Sequence, residues 1–169
     1  MNTGFIYSKS ALWVQDNTRV AGVKSLTPPA LTAQIGNYQS SWMDAPIPVD
    51  NGMQAMQLEY KVDCDASVLG LFGLISGANT RAQVRRTYRG TDQVLHAWVE
   101  EFEGIIGTIT QDESSNDSKE NVGMSVTMNL SYYKLTIDGA EIYEIDPLNL
   151  IRSVNGTNQL ADEKSALNL

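Results

Sequence analysis

GMSVTMNLSYYKLTIDGAEIYEIDPLNLIRSVNGTNQLADEKSALNL, residues 123–169, opens with strict alternation. Met124, Val126, Met128, Leu130 and Tyr132, with Val122 just before them, are large, while Gly123, Ser125, Thr127, Asn129 and Ser131 are small or polar. A period of two reads as a strand with one buried face. At Tyr132-Tyr133 the phase switches, and Tyr133, Leu135 and Ile137 take over the apolar positions. A switch without a chain break predicts a bulge or sharp bend. Asp138-Gly139 then supplies a tight hairpin turn, since both residues tolerate positive φ, and Glu141–Ile145 returns as partner. Extended at about 3.3 Å per residue, Val122–Ile137 would span roughly 50 Å, far beyond an ordinary strand. Such a strand bends between two sheets or projects towards another copy, and both outcomes point to assembly.

Working back towards the N-terminus, Met56, Leu58, Tyr60 and Val62 alternate with polar residues as a second one-faced strand. Asp65 is placed to cap a helix over Asp65–Ser76, with Val68, Leu71, Phe72 and Ile75 at helical spacing and Gly77 as the stop. Leu12–Gln15 and Arg19–Leu26 read as a hairpin, and Pro28-Pro29 ends its second strand because proline cannot donate to a ladder. Residues 1–10 are loosely patterned and read as an arm, mobile unless a neighbour ties it down. Residues 37–52 lack periodicity yet carry Tyr38, Trp42, Met43, Pro46 and Pro48. Large side chains in a long loop want a partner, so these five are the candidate inter-subunit contacts. Arg81, Arg85, Arg86 and Arg89 fall in a predicted strand, and Gln93–Gly104, with Glu100, Glu101 and Glu103, is its hairpin partner. Gln111–Asn121 is a polar loop, Asn155-Gly156 another turn, and residues 161–169 a short helical tail. The expectation from the residues is one mainly β domain over residues 1–169, of antiparallel hairpins with one short α-helix.

Composition narrows the function. The net charge is −8, whereas a nucleic-acid binder presents a basic excess, and the arginine cluster is too small to reverse that. Cys64 is the only cysteine, so no internal disulfide forms. With no charged-then-apolar leader and no apolar run near 18 residues, the chain reads as soluble and cytoplasmic. His96 and Cys64 lack the partners a zinc site or nucleophile pair needs, and His96 reads as structural. Ser131-Tyr132-Tyr133-Lys134 matches S-x-x-K without S-D-N or K-T-G. Asp112–Glu120 lacks the calcium-loop spacing, Gly70, Gly73 and Gly77 cradle no phosphate, and Glu100, Glu101 and Glu103 read as a charged surface. Neither an enzyme nor a cofactor is expected.

Ser131-Tyr132-Tyr133-Lys134-Leu135, the run Glu144-Ile145-Asp146-Pro147-Leu148-Asn149, and Val154-Asn155-Gly156 through Gln159-Leu160 to Leu167 carry a resemblance. Upstream, Leu26-Thr27-Pro28-Pro29, Asn37-Tyr38, Met43 and Pro48-Val49-Asp50 follow the same pattern in the same order. The sequence resembles the major tail tube proteins of contractile-tailed bacteriophages and the related R-type tailocins, with residues 77–120 matching least. The resemblance implies a β-barrel or sandwich of antiparallel strands with one short α-helix, a hexameric ring whose strands join across neighbouring subunits, rings stacked into a hollow tube, and a location in the virion tail after assembly in the host cytoplasm. Its implied partners are copies of itself, tail sheath, baseplate and tail terminator proteins, with DNA passing through unbound. In that setting the acidic charge keeps DNA from sticking, and Glu59 and Asp63 are the candidate lumen-facing residues. Two other readings stay open from sequence: a monomeric β-sandwich module binding carbohydrate or peptide through the Tyr38–Met43 aromatics, and a tailocin or secretion-system tube without DNA.

Overall fold

The computed structural model describes residues 4–15, 18–20, 22–71, 77 and 79–169. In chain order its strands are β1 (Phe5–Val14), β2 (Thr18–Val20), β3 (Val23–Thr27), β4 (Ala33–Tyr38), β5 (Ile47–Met53) and β6 (Met56–Val62). After the single-turn helix α1 (Ala66–Leu69) come β7 (Thr80–Gly90), β8 (Leu95–Gln111), β9 (Met124–Ile137), β10 (Ala140–Asp146), β11 (Ile151–Val154) and β12 (Thr157–Asn158). A second short helix, α2 (Ala161–Ala166), follows.

Strand β9 is the hub, and its phase switch is where the sheet forks. Its first half pairs with β6, from Met124 opposite Val62 to Leu130 opposite Met56. Its second half pairs instead with β10, beginning at Tyr133 opposite Ile145. Between them Ser131 is the extra residue: Glu103 of β8 lies opposite Tyr132, and the next residue, Gly104, lies opposite Leu130. That bulge bends the strand and turns the buried face over, so Met124, Val126 and Met128 face the core before it and Tyr133 and Leu135 after it. Gly104 sits at the crossing, where a Cβ would overlap the backbone of Asn129, so only glycine lets β8 come this close. Gly107 is a second extra residue, in β8.

One limb of the fork runs β3-β6-β9-β8, using the first half of β9 and the second half of β8. The other runs β12-β11-β10-β9-β8-β7-β1-β2. The limbs face one another across a single core in which Leu12, Val84, Phe102 and Tyr133 of one meet Leu58, Tyr60, Val126 and Met128 of the other. This is the mainly β, antiparallel fold expected, and of the two forms that the resemblance implies, barrel or sandwich, it is a sandwich.

The turns follow their residues. Asp138 and Gly139 both have positive φ (50° and 82°), as do Asn155 and Gly156 (52° and 81°), which is the geometry of a two-residue hairpin turn. Asp65 caps α1, accepting from the Ser67 amide at 2.8 Å, and Val68 is fully buried. The expected helix continues to Ser76, and residues 72–76 of that span lie outside the described residues. Residues 5–10 differ from the expected loose arm: β1 starts at Phe5 and pairs with β7 as far as Gly90. Its tether is therefore within the chain. Among the described residues no helix is long and apolar enough to cross a membrane.

Candidate assembly surfaces

Both ends of the 37–52 segment are strands, and only residues 39–46 between them form a loop. Strands β4 and β5 form a two-stranded antiparallel hairpin separate from the main sheet, with Tyr38 opposite Ile47, Asn37 opposite Pro48 and Gly36 opposite Val49. The prolines obscure its pattern, yet they are permitted because both strands of such a hairpin are edges. Its base is closed by Gln54 N–H donating to the Thr32 carbonyl at 2.9 Å. It is tied to the body by Arg152, whose guanidinium lies 2.8 Å from the Asp50 carboxylate. Arg152 and the Gly52 amide hold that carboxyl below the usual carboxylate range.

Of the predicted contact residues, Tyr38, Trp42, Pro46 and Pro48 are exposed, Trp42 at 83%. Met43 is half-buried within the tip itself, its sulfur accepting from the Ser40 amide at 3.4 Å. Ile35, Ile47 and Val49 also project into water, and the sequence reading missed them. Five large apolar side chains on this two-stranded arm are thus 40–83% exposed. Together they make an exposed apolar patch.

A second surface is the outer face of the β3-β6-β9-β8 limb. Its residues lie in rows across the strands: Thr27, Glu59, Thr127, Thr108, and then Ser25, Lys61, Ser125, Thr110. Gln57 and Asn129 add a side-chain hydrogen bond of 3.0 Å. Most charge along this face is paired. Lys61 Nζ lies 2.7 Å from Asp112, whose carboxyl is lowered by that ammonium and by the Gly123 amide. Glu59 lies within the hydroxyl rows, with no ion-pair partner among the described residues. Asp63 is not beside it: it follows the end of β6, with its carboxylate 3.1 Å from Lys24. The two candidate residues thus differ in setting, one on an open polar face and one in an ion pair.

One charged residue expected at the surface is inside. Glu100 is wholly buried between Val84 and Leu135, paired with the Arg86 guanidinium and 3.4 Å from the Tyr133 hydroxyl. Burial pushes the Tyr133 hydroxyl up to about 12, so it stays a donor. Arg86 also lies over the Trp98 and Tyr88 rings, at 5.5 and 5.8 Å. Glu101 remains exposed, and Glu103 lies 3.7 Å from Arg81. His96 is structural as read: its Nδ1 lies 2.6 Å from Asp138, fastening the β9–β10 turn to β8. The Ser131 hydroxyl donates to the Glu103 carbonyl, and Lys134 reaches towards Glu141, so the S-x-x-K word assembles no site.

A family model described as phage tail tube protein FII matches residues 8–167. The tail tube protein of Escherichia phage P2 is 27% identical over 151 residues, covering 86% of this chain and 87% of its own length. Among solved structures, a chain of the sixfold-symmetrised cryo-EM structure of the anti-feeding prophage baseplate is similar with a TM-score of 0.48 at 12% identity, covering 82% of this chain and 98% of that one.

Proposed function

The chain belongs to the phage tail tube protein FII family and is a structural subunit of a tail tube, and on that premise we propose that six copies close into a ring, that rings stack, and that DNA passes through the resulting channel. The observation that carries this reading is the β4–β5 hairpin, which holds Tyr38, Trp42, Ile47 and Val49 away from its own core. Such an arm suits contact with a copy in the same or the next ring. The remaining surface serves the sheath outside and the baseplate and terminator at the ends. The particle is a contractile phage tail or a related tailocin.

The channel wall is the face bearing Ser25, Thr27, Ser125, Thr127, Thr108 and Thr110, with Glu59 as its unpaired charge. Hydroxyl rows offer DNA no cationic grip, and a ring of Glu59 carboxylates repels phosphates. Asp63, already neutralised by Lys24, contributes less. Substituting Glu59→Lys in the phage is expected to leave tubes intact and slow triggered DNA release at low salt, with recovery as ionic strength rises. Release unchanged at every salt concentration would remove Glu59 from the wall.

The reading is tested by purifying the chain and examining it by negative-stain electron microscopy and light scattering, alone and with purified baseplates. Hollow rings or tubes are expected in at least one condition. A monodisperse monomer that also fails to extend baseplates would overturn it.

A further inference from the structure

The β4–β5 hairpin pairs with no strand of the main sheet. Among the described residues, the contact of Arg152 with Asp50 is the one side-chain hydrogen bond or ion pair between the hairpin and the rest of the domain. Where the arm leaves the body, its ladder is irregular. Between the pairs Ala33–Met53 and Ile35–Asp50, one residue of β4 faces two of β5, Asn51 and Gly52. Gly52 has φ of 105° and open space where a Cβ would lie. A bulge with such a glycine is a point where a strand pair can bend.

Arg152, by contrast, stands on a fixed post. Its backbone N–H donates to Asn158 Oδ1 at 3.1 Å, and its carbonyl accepts from the Gln159 amide at 2.9 Å. The Asn158 side chain also donates to the Leu150 carbonyl and accepts from the Leu160 amide. One asparagine thus holds three points of the chain around the arginine. Between post and arm lies a cleft of about 590 Å³, lined by Met56, Leu130, Ile145 and Leu150 as well as by Asp50 and Arg152. Ile35 is directly opposite Asp50 in the hairpin, so the two share a face, and Ile35 is 57% exposed.

We propose that the Asp50–Arg152 pair is a latch that sets the angle of the arm. Latched, the arm stands off the body and Ile35 stays in water. Unlatched, the arm pivots at Asn51-Gly52 and Ile35 closes over the apolar cleft, the competing state that burial of apolar surface favours. The two side chains are 23% and 47% exposed, so salt screens the pair and its weight is modest. An exposed pair of this kind shifts a two-state balance by up to about fivefold. The consequence for assembly rests on the ring reading above: a layer needs the arms of all its copies at one angle, so a small shift per copy compounds. Growth is therefore tuned by ionic strength through this pair.

The latch is read first in the free subunit, which needs no tube. In a Cys64→Ser background, nitroxide labels are placed at Asp44→Cys on the exposed tip and Thr157→Cys on the body. Electron–electron double resonance at low salt is expected to give one narrow distance distribution. Asp50→Asn keeps an oxygen for the Gly52 amide but loses the charge, and is expected to raise a shorter-distance population by up to about fivefold. High salt is expected to do the same to the parent and to change nothing further in Asp50→Asn, while Arg152→Lys, which keeps the cation, stays closer to the parent than Arg152→Gln. Identical distributions for parent and Asp50→Asn at low salt would overturn the latch. Growth from baseplates at low salt is then expected to be at least about fivefold slower in Asp50→Asn, with the gap closing as salt rises. Equal growth beside a shifted distribution would overturn the latch's part in assembly. Wild-type chain that neither assembles nor adds to baseplates would overturn the ring reading, and the latch itself would stand or fall on the labels.

Discussion

Substituting Arg86→Ala lowers the unfolding free energy of the free subunit by about 3–5 kcal/mol in a urea titration. The carboxylate of Glu100 has no exposed surface, and its neighbours across the sheet are Val84 and Leu135. With the guanidinium gone, the Tyr133 hydroxyl is its one hydrogen-bond donor among the described residues, and a buried carboxylate with one neutral donor is poorly compensated. Removing both charges is a different experiment. The double change Arg86→Met with Glu100→Leu fills the same space without an ion to desolvate, and is expected to be neutral or to stabilise by about 1–4 kcal/mol. A double variant as unstable as Arg86→Ala would mean that packing of the arginine stem on Trp98 and Tyr88 matters more than the charge. A loss below about 1 kcal/mol in the single variant would mean that the pair is solvated.

Glu100 also shows where sequence reasoning failed and what signal was available. Trp98, Glu100, Phe102 and Gly104 share one phase of β8, and Glu101 and Glu103 mainly share the other. Period alone puts residue 100 inside with Phe102, but its charge argues for the surface, and the partner that resolves the conflict sits on a different strand. The fork at β9 was legible because length, phase switch and the Asp138-Gly139 turn all lie within one local stretch. The hairpin was not. A two-stranded arm in water has no buried face, so it shows no alternation, and Pro46 and Pro48 resemble loop residues. Residues 5–10 were silent for the same reason: Phe5, Ile6 and Tyr7 are exposed on both faces, and only the long-range pairing with β7 makes them a strand. Glu59 and Asp63 share a parity, so the sequence treated them alike. What separates them is that β6 ends at Val62 and Lys24 arrives from β3.

The hairpin yields the second large effect, and it is an effect on assembly rather than on folding. Trp42→Ser combined with Ile47→Ser is expected to abolish tube growth from baseplates, scored by electron microscopy, while the free subunit's unfolding free energy moves by no more than about 0.5 kcal/mol. Exposed side chains lose little when truncated in the monomer, and Trp42 is 83% exposed and Ile47 48%. In an interface the same residues are anchors, and a buried tryptophan contact is typically worth 2 kcal/mol or more. Symmetry multiplies that loss, since the contact recurs in every copy of a ring and a layer must add all of its contacts together. Met43→Ala makes the control, because that side chain packs inside the hairpin tip: it should loosen the tip and weaken growth less than the Trp42 and Ile47 pair does. Normal growth of the double serine variant would assign the exposed apolar arm to some other partner. A large drop in its monomer stability would instead mean that the arm folds back onto its own domain.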